Sequence, residues 1–322
     1  MHYQFEFRPY QRRFVRSLTT NHGKWDIREG IILRLTDESG KVGWGEIAPI
    51  SWFGSETLEQ ALDFCRQLPR EITDEIIFSI PDELPACQFG FESAQEWRSE
   101  FFSMPHTQSF SALLPSGEAA LNQWETLWQQ GYRTFKWKIG VYAIAHELEI
   151  FESLIHTLPA FTKLRLDANG GLTYEEANLW LWTCDNLKEN GEIPLEIEFI
   201  EQPLPVEQFQ QMLELSMSYE TAIALDESVA TLGQLAACYQ QGWRGIFVIK
   251  PGIVGSPSGL RKFCHQHQID TVFSSVFETA IARQAALQLA AELSKNNRAI
   301  GFGIDHFFEQ EETWLQSLWN DL

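Results

Sequence analysis

Five short apolar runs mark the middle of the chain, and each ends in charge. They are Thr134 to Lys138 (TFKWK), Leu164 to Asp167 (LRLD), Ile197 to Glu201 (IEFIE), Ala222 to Asp226 (AIALD) and Ile246 to Lys250 (IFVIK). From Lys138 onward the charged ends are 29, 34, 25 and 24 residues apart, and each gap holds one amphipathic, helix-like segment. A strand with its return helix takes about 30 residues, and the crossover brings the next strand back parallel. Parallel strands of one sheet point their C-terminal ends the same way. In a (β/α) barrel those ends form the face that carries the chemistry. The pattern therefore predicts five charged strand ends converging on one barrel mouth.

The flanks complete the ring. Ser109–Leu113 reads as a first strand, Asp270–Ser275 as a seventh, and Ala299–Gly303 as a short eighth, with an alanine- and leucine-rich helix over Ile281–Leu293 between the last two. Ahead of the barrel the pattern changes. Tyr3, Phe5 and Phe7 alternate with polar residues, as in a half-buried strand. Gly30–Leu35 and Val42–Glu46 flank the turn-rich Asp37–Gly40, a hairpin signal. Glu56–Leu68 is helical, with Leu58, Ala61, Leu62 and Cys65 on one face. The expected fold class is α/β, a modified TIM barrel (β/α)7β with an N-terminal α+β capping domain. The expected domains are 1–105, with a tail of about 304–322 packing back on it, and a barrel over 106–303. Two loops with aromatic residues and glycine, Thr19–Trp25 and Pro49–Ser55, are expected to fold over the barrel mouth.

Composition narrows the function. A formal charge of −20 over 322 residues argues against nucleic acid or an anionic membrane as partner, while leaving room for a small-molecule carboxylate at a local cationic site. The five cysteines show no paired spacing, which fits buried thiols in a reducing compartment, the cytoplasm. The first residues carry charge throughout and do not read as a signal peptide. No run approaches the roughly 20 apolar residues of a membrane span. Oligomeric state leaves no trace in the pattern.

Asp167, Glu201 and Asp226 end three successive strands. Three carboxylates at close range repel unless a cation lies between them. Oxygen donors alone favour Mg²⁺ first and Mn²⁺ second, and the lack of His or Cys at these ends argues against zinc. Lys136 and Lys138 alternate with Phe135 and Trp137, so both lysines point inward. Paired ammonium groups are expected to lower each other's proton affinity, which helps one act as a base. Lys250 ends a strand on the far side of the ring. A metal between opposed lysines suits removal of a proton next to a carboxylate, with the resulting enediolate stabilised by positive charge.

These residues resemble the enolase superfamily, in its muconate-lactonizing-enzyme subgroup. The matching motifs are K-x-K at Lys136 and Lys138, D-A-N at Asp167–Asn169, E-Q-P at Glu201–Pro203, D-E-S at Asp226–Ser228 and K-P-G at Lys250–Gly252. Arg28–Gly30, Gly43–Ile50, Phe89–Ala94 and Ser274–Thr279 look like further family features, and they point to the branch that makes 2-succinylbenzoate for menaquinone or phylloquinone. The resemblance implies one Mg²⁺ held by Asp167, Glu201 and Asp226, with Asn169 and Glu227 supporting the ligands from behind. It implies syn dehydration of 2-succinyl-6-hydroxy-2,4-cyclohexadiene-1-carboxylate. Lys138 would be the base, Lys250 a stabilising cation, and Lys136 a group that holds the carboxylate or tunes Lys138. Ser274 and Ser275 would bind the succinyl carboxylate, although strand-end hydroxyls more often cap the next helix. Racemases of N-acylamino acids and dipeptide epimerases share this catalytic set. The epimerases resemble one another in a D-x-D pair near the last strand, where this chain has a single aspartate, Asp305, followed by His306. A non-catalytic metal-binding barrel would not need both Lys138 and Lys250.

Overall fold

A computed structural model describes residues 1–20, 23–96, 108–189, 195–304, 307–308 and 318–319. The N-terminal part runs β1 (His2–Thr20), β2 (Gly23–Asp37), β3 (Val42–Ile47), α1 (Leu58–Gln67), β4 (Glu71–Thr73), α2 (Asp74–Phe78) and α3 (Pro85–Glu96). Its four strands form an antiparallel sheet in the order β3-β2-β1-β4. Tyr3 and Phe5, on the alternating face of β1, pack with Ile31, Leu33 and Leu35 of β2 against α1 and α3. Thr57 and Gln60 form a reciprocal cap at the start of α1, which fixes where that helix begins. Backbone meets backbone where α3 crosses β3: a Cβ on Gly45 would fall 2.0 Å from the Gly90 carbonyl oxygen, so no side chain fits there.

One expectation needs correction. Thr19–Trp25 is not simply a loop: Leu18 pairs with Trp25, and Thr20 with Gly23, at the tip of the long β1–β2 hairpin. The strands extend past an irregularity between Arg13 and Leu18, where polar residues hide the period-two signal. Residues 21 and 22 lie outside the described residues.

The barrel follows as β5 (Ser111–Leu113), α4 (Ala120–Gln129), β6 (Thr134–Lys138), α5 (Ile144–Thr157), β7 (Lys163–Asp167), α6 (Tyr174–Glu189), β8 (Glu196–Glu201), α7 (Phe209–Ser218), β9 (Ile223–Leu225), α8 (Leu232–Gln240), β10 (Ile246–Ile249), α9 (Pro251–Val254), α10 (Pro257–Gln266), β11 (Asp270–Phe273) and α11 (Ala280–Leu293). The seven strands β5 to β11 are parallel and adjacent in sequence order. The expected eighth strand is reduced to two bridges, Ile300 to Phe110 and Gly301 to Ser274. They still close the ring: Ser111 N donates to the Ile300 carbonyl at 2.9 Å and Gly301 N to the Phe273 carbonyl at 2.7 Å. In this ring β6 and β10 stand at opposite positions. Outward side chains of the strands meet the helices in the main core, where Trp137 stacks on Phe151 and meets Trp180 edge-on. The interior holds a smaller apolar plug of Phe199, Ala224, Ile246, Val248 and Val272.

Beneath that plug lies an ionic network in which Arg165 and Glu198 are buried and Arg298 and Asp270 are partly exposed. Arg165 Nε donates to Glu198 Oε2 at 2.6 Å, and Arg298 spans from Glu198 Oε1 at 2.8 Å to both oxygens of Asp270 at 2.7 and 2.9 Å. A second set of polar contacts joins cap to barrel. Buried Arg28 donates to the carbonyls of Val276, Glu29, Pro49 and Ala48. Buried Glu46 accepts from the Thr279 and Ala282 amides at the start of α11, from the Thr279 hydroxyl and from Tyr10. A carboxylate there also meets the positive end of the helix. From the tail, Phe308 stacks on Phe14 and Trp319 meets Trp44 edge-on.

Burial alone would raise the Glu198 carboxyl, but the Arg165 and Arg298 guanidiniums carry it below its ordinary value. A carboxyl lowered in the folded state contributes stability that is complete above the unfolded value and is lost as pH falls through the folded one. Denaturant midpoints measured between about pH 6 and pH 3 should show the advantage of the wild type over Glu198→Gln shrinking below about pH 4.5. An advantage constant across that range would contradict this assignment.

Candidate active site

The charged strand ends meet as their register dictates. Lys138 pairs with Asp167 across β6 and β7, and Asp167 with Glu201 across β7 and β8. Asp226 follows β9 and Lys250 follows β10. Phe135 and Trp137 are wholly buried on the helix side, which leaves Lys136 and Lys138 together on the interior face. Lys136 Nζ lies 2.7 Å from both Asp167 Oδ2 and Glu201 Oε1. Lys250 Nζ is bonded to Asp226 Oδ1. Asp167 Oδ1 accepts from the Asn169 amide at 3.1 Å, and the Asn169 side chain donates to Glu227 Oε1 at 3.1 Å. Asn169 has a left-handed backbone, φ 44°, a conformation that asparagine tolerates.

Burial and neighbouring charge act together on the site's ionisable groups. Burial raises the Glu201 carboxyl; Lys136 opposes this, and the charges of Asp167 and Asp226 reinforce it. Burial likewise raises Asp226, against the pull of Lys250 and with the push of Glu227. Glu227 is raised by burial and then by Asp167. Burial would lower the Lys136 ammonium, but Asp167, Glu201 and Asp226 together hold it well above the usual lysine range. That reverses the expectation of mutually weakened lysines as far as Lys136 is concerned: its nearest charges are carboxylates, not Lys138.

Among the described residues, no three His, Cys, Asp or Glu side chains are drawn tightly enough around one point to hold a metal as they stand. The two lysines engage the carboxylate oxygens instead. The donor chemistry still fits a hard divalent cation: the candidate donors are carboxylate oxygens at neighbouring strand ends, and Glu227 Oε2 is buried with no hydrogen-bond partner among the described residues.

Gln202, which the sequence offers only as the middle of the E-Q-P motif, packs into the candidate site. It is fully buried with φ 38°, and its Oε1 accepts from the Asp226 amide at 3.0 Å and the Ser228 amide at 3.2 Å. Its Nε2 donates to Ser228 Oγ at 2.8 Å. Gln202 thereby fixes the backbone that presents Asp226. The Ser275 hydroxyl is engaged within its own loop, donating to Glu278 Oε2 at 2.8 Å and accepting from the Phe277 amide at 2.9 Å. Ser274 is partly exposed at the end of β11. Asp305 and His306 lie outside the described residues.

The cap reaches this mouth through Pro49–Ser55. The ring centroid of Phe53 lies 4.1 Å from Lys250 Nζ, and a Cβ on Gly54 would stand 3.1 Å from the Ala230 methyl. Trp25 meets Trp52 edge-on at 5.6 Å, tying the hairpin tip to the same loop.

Residues 119–317 match the family model described as Enolase C-terminal domain-like, and residues 9–97 match the model of the MenC N-terminal domain. An o-succinylbenzoate synthase of Thermosynechococcus vestitus is 43% identical over 308 residues, covering 94% of this chain and 93% of that protein. This chain belongs to the o-succinylbenzoate synthase family. An o-succinylbenzoate synthase of Pasteurella multocida is 30% identical over 84% of this chain and 80% of its own length. The crystal structure of the o-succinylbenzoate synthase of Thermosynechococcus elongatus, with magnesium in its active site, superposes with a TM-score of 0.90 at 41% identity, covering 99% of this chain and 100% of that one. An L-Ala-D/L-Glu epimerase of Bacillus subtilis superposes at a TM-score of 0.78 and 22% identity over 95% of this chain and 90% of its own, a likeness of fold.

The seating of the cap loop in this member of the o-succinylbenzoate synthase family is testable at Gly54, whose φ of 125° suits glycine alone. Gly54→Ala combines a strained backbone with contact against Ala230, and should cost about 1–3 kcal/mol in urea denaturation. Amide exchange at residues 51–54 should rise with it. Unchanged stability and exchange would show that the loop is not seated this way.

Proposed function

We propose that this chain is a carbon–oxygen lyase that dehydrates 2-succinyl-6-hydroxy-2,4-cyclohexadiene-1-carboxylate to 2-succinylbenzoate with Mg²⁺, in menaquinone or phylloquinone biosynthesis. The observation that carries the reading is the placement of Lys138 and Lys250 on opposite strands of the ring, with Asp167, Glu201 and Asp226 on the strand ends between them. Asp167, Glu201 and Asp226 would hold the metal, with Asn169 and Glu227 behind them and Gln202 setting the backbone of Asp226. When bound, Mg²⁺ supplies positive charge to the substrate carboxylate as that group gains electron density.

The lysines divide the remaining work. Lys138 removes the proton next to the ring carboxylate, breaking the C–H bond. The hydroxyl leaves from the same face, so the same ammonium returns its proton and water departs. Lys250 contributes charge on the opposite face. Its contacts with Asp226 and with the face of Phe53 both suit an ammonium, which supports a cation over a second base. Lys136 bridges Asp167 and Glu201 and holds the ligand carboxylates in register. The Pro49–Ser55 loop, with Phe53 innermost, excludes water. Two-base epimerisation of an acylated amino acid is the rival activity, because opposed lysines also serve that chemistry.

Turnover should vanish on chelation and return with Mg²⁺ or Mn²⁺. Asp167→Asn, Glu201→Gln and Asp226→Asn should each lower activity by orders of magnitude while the protein stays folded, because the change relieves repulsion among buried carboxylates. Full activity after chelation and dialysis would remove the metal from the reading.

An asymmetry between the lysines separates dehydration from epimerisation. Lys138→Ala should abolish dehydration. Lys250→Arg keeps the cation but offers no base at neutral pH, so dehydration should persist measurably while any racemisation is lost. The check is to run both variants on the cyclohexadiene carboxylate and on an N-acylamino acid, following solvent deuterium uptake. A wild type that racemises efficiently and does not dehydrate would establish the rival.

A further inference from the structure

Phe277 sits in the loop after β11 with φ 61°, a left-handed value that a bulky side chain rarely adopts. The chain on both sides of it is tied down. Glu278 Oε2 accepts from the Val276 amide at 2.6 Å and from Ser275 Oγ at 2.8 Å, and Ser275 Oγ accepts from the Phe277 amide at 2.9 Å. Arg28 of the cap holds the Val276 carbonyl at 3.0 Å, and Glu46 of the cap holds the Thr279 amide at 3.0 Å. An uncommon conformation fixed from both sides is the kind of feature that functional loops retain.

The ring so presented is the barrel's contribution to an aromatic chain. Phe277 meets Phe14 at 5.6 Å and 89°, Trp25 at 5.6 Å and 82°, and Phe307 at 5.4 Å and 89°. Trp25 passes the contact to Trp52 at 5.6 Å, Trp52 to Phe53 at 6.2 Å, and Phe53 covers Lys250. Edge-to-face pairs of this kind stabilise beyond simple area burial. The loop is held at its start by Arg28 on the Pro49 carbonyl and packs at Gly54 against Ala230, while Trp52, at its middle, is 40% exposed. We propose that Phe277 is a positioning residue, the barrel-side anchor that keeps the Pro49–Ser55 loop seated over Lys250. Without its ring, the seated population falls, and substrate meets a binding-competent enzyme less often. Apparent affinity weakens in proportion to that fraction, while turnover of the saturated enzyme stays near its normal value.

The test uses Phe277→Gly, whose backbone accepts the left-handed conformation so that the ring alone is removed. Phe277→Leu serves as a second variant of similar bulk and Phe277→Tyr as the conservative rescue. Amide exchange at residues 51–54 should quicken by about tenfold in the Gly and Leu variants, with exchange in the barrel strands unchanged, and return to normal in the Tyr variant. The kinetic arm rests on the dehydratase reading: KM should rise by about tenfold with kcat within about twofold, and the Tyr variant should restore it. Normal exchange at 51–54 in both variants would overturn the anchor. So would quickened exchange throughout the barrel, or a fall in kcat at constant KM. Should the wild type fail to dehydrate, the functional reading falls, and exchange at 51–54 by itself upholds or overturns the anchor.

Discussion

A buried charge must find a counter-charge, and this barrel meets that demand at one end and leaves it open at the other. Below the apolar plug, Arg165 and Arg298 face Glu198 and Asp270, two cations against two anions joined by short hydrogen bonds. At the mouth, Lys136, Lys138 and Lys250 stand with Asp167, Glu201, Asp226 and Glu227, three cations against four anions; among the described residues a buried Glu227 oxygen lacks a hydrogen-bond partner, and so does Arg165 Nη2 at the other end, so it is the charge count that separates the two. A closed network braces a structure; an unbalanced one has affinity to spare. The carboxyls of Glu201 and Asp226 are raised first by burial, with neighbouring carboxylates adding to the rise and Lys136 and Lys250 opposing it. The unbalanced charge thus lies at the mouth, together with the candidate site.

The same rule governs how the cap is attached. Three buried charges of the cap reach backbone groups of the barrel: Arg28 donates to the Val276 carbonyl, Glu46 accepts from the Thr279 and Ala282 amides, and Glu92 accepts from the Ser258 amide. Backbone partners leave little freedom in where the loop after β11 and the start of α11 can lie. The charged strand ends and the Pro49–Ser55 loop beside them are thus held in one frame, although they come from segments far apart in sequence.

The strand ends were readable from the chain because one physical fact reaches the sequence directly. Parallel strands buried on both faces show as continuous apolar runs, and the functional residue sits where the run stops. TFKWK coincides with β6 for the further reason that alternation separates aromatics facing helices from lysines facing the interior. The hairpin tip near Trp25 was obscured by polar residues and an irregular register. The eighth strand was faint because two bridges need no apolar run. Gln202, Phe53 and Phe277 escaped notice as individual site residues for a common reason: each acts through a contact with a residue distant in sequence. Conformation at Gln202 and Phe277 departs from what their residue types suggest, and nothing in a single chain marks that. The proton affinity of Lys136 was misjudged because sequence adjacency made Lys138 seem its neighbour, whereas the fold gives it Asp167 and Glu201.

Closing the ring through Ile300 and Gly301 has a consequence for synthesis. The hydroxyl of Ser111 and the carbonyl of Ile300 are partners across 189 residues, and Glu46 meets Thr279 across 233. A ribosome releases the cap and the first barrel strand long before either partner exists. Until then β5 has an open edge and Glu46 a buried position with no amides to fill it. Strand edges left open in this way invite pairing with other chains. The nascent protein thus passes most of its translation with its barrel unclosed, and its exposure to aggregation depends on how quickly the final segment arrives.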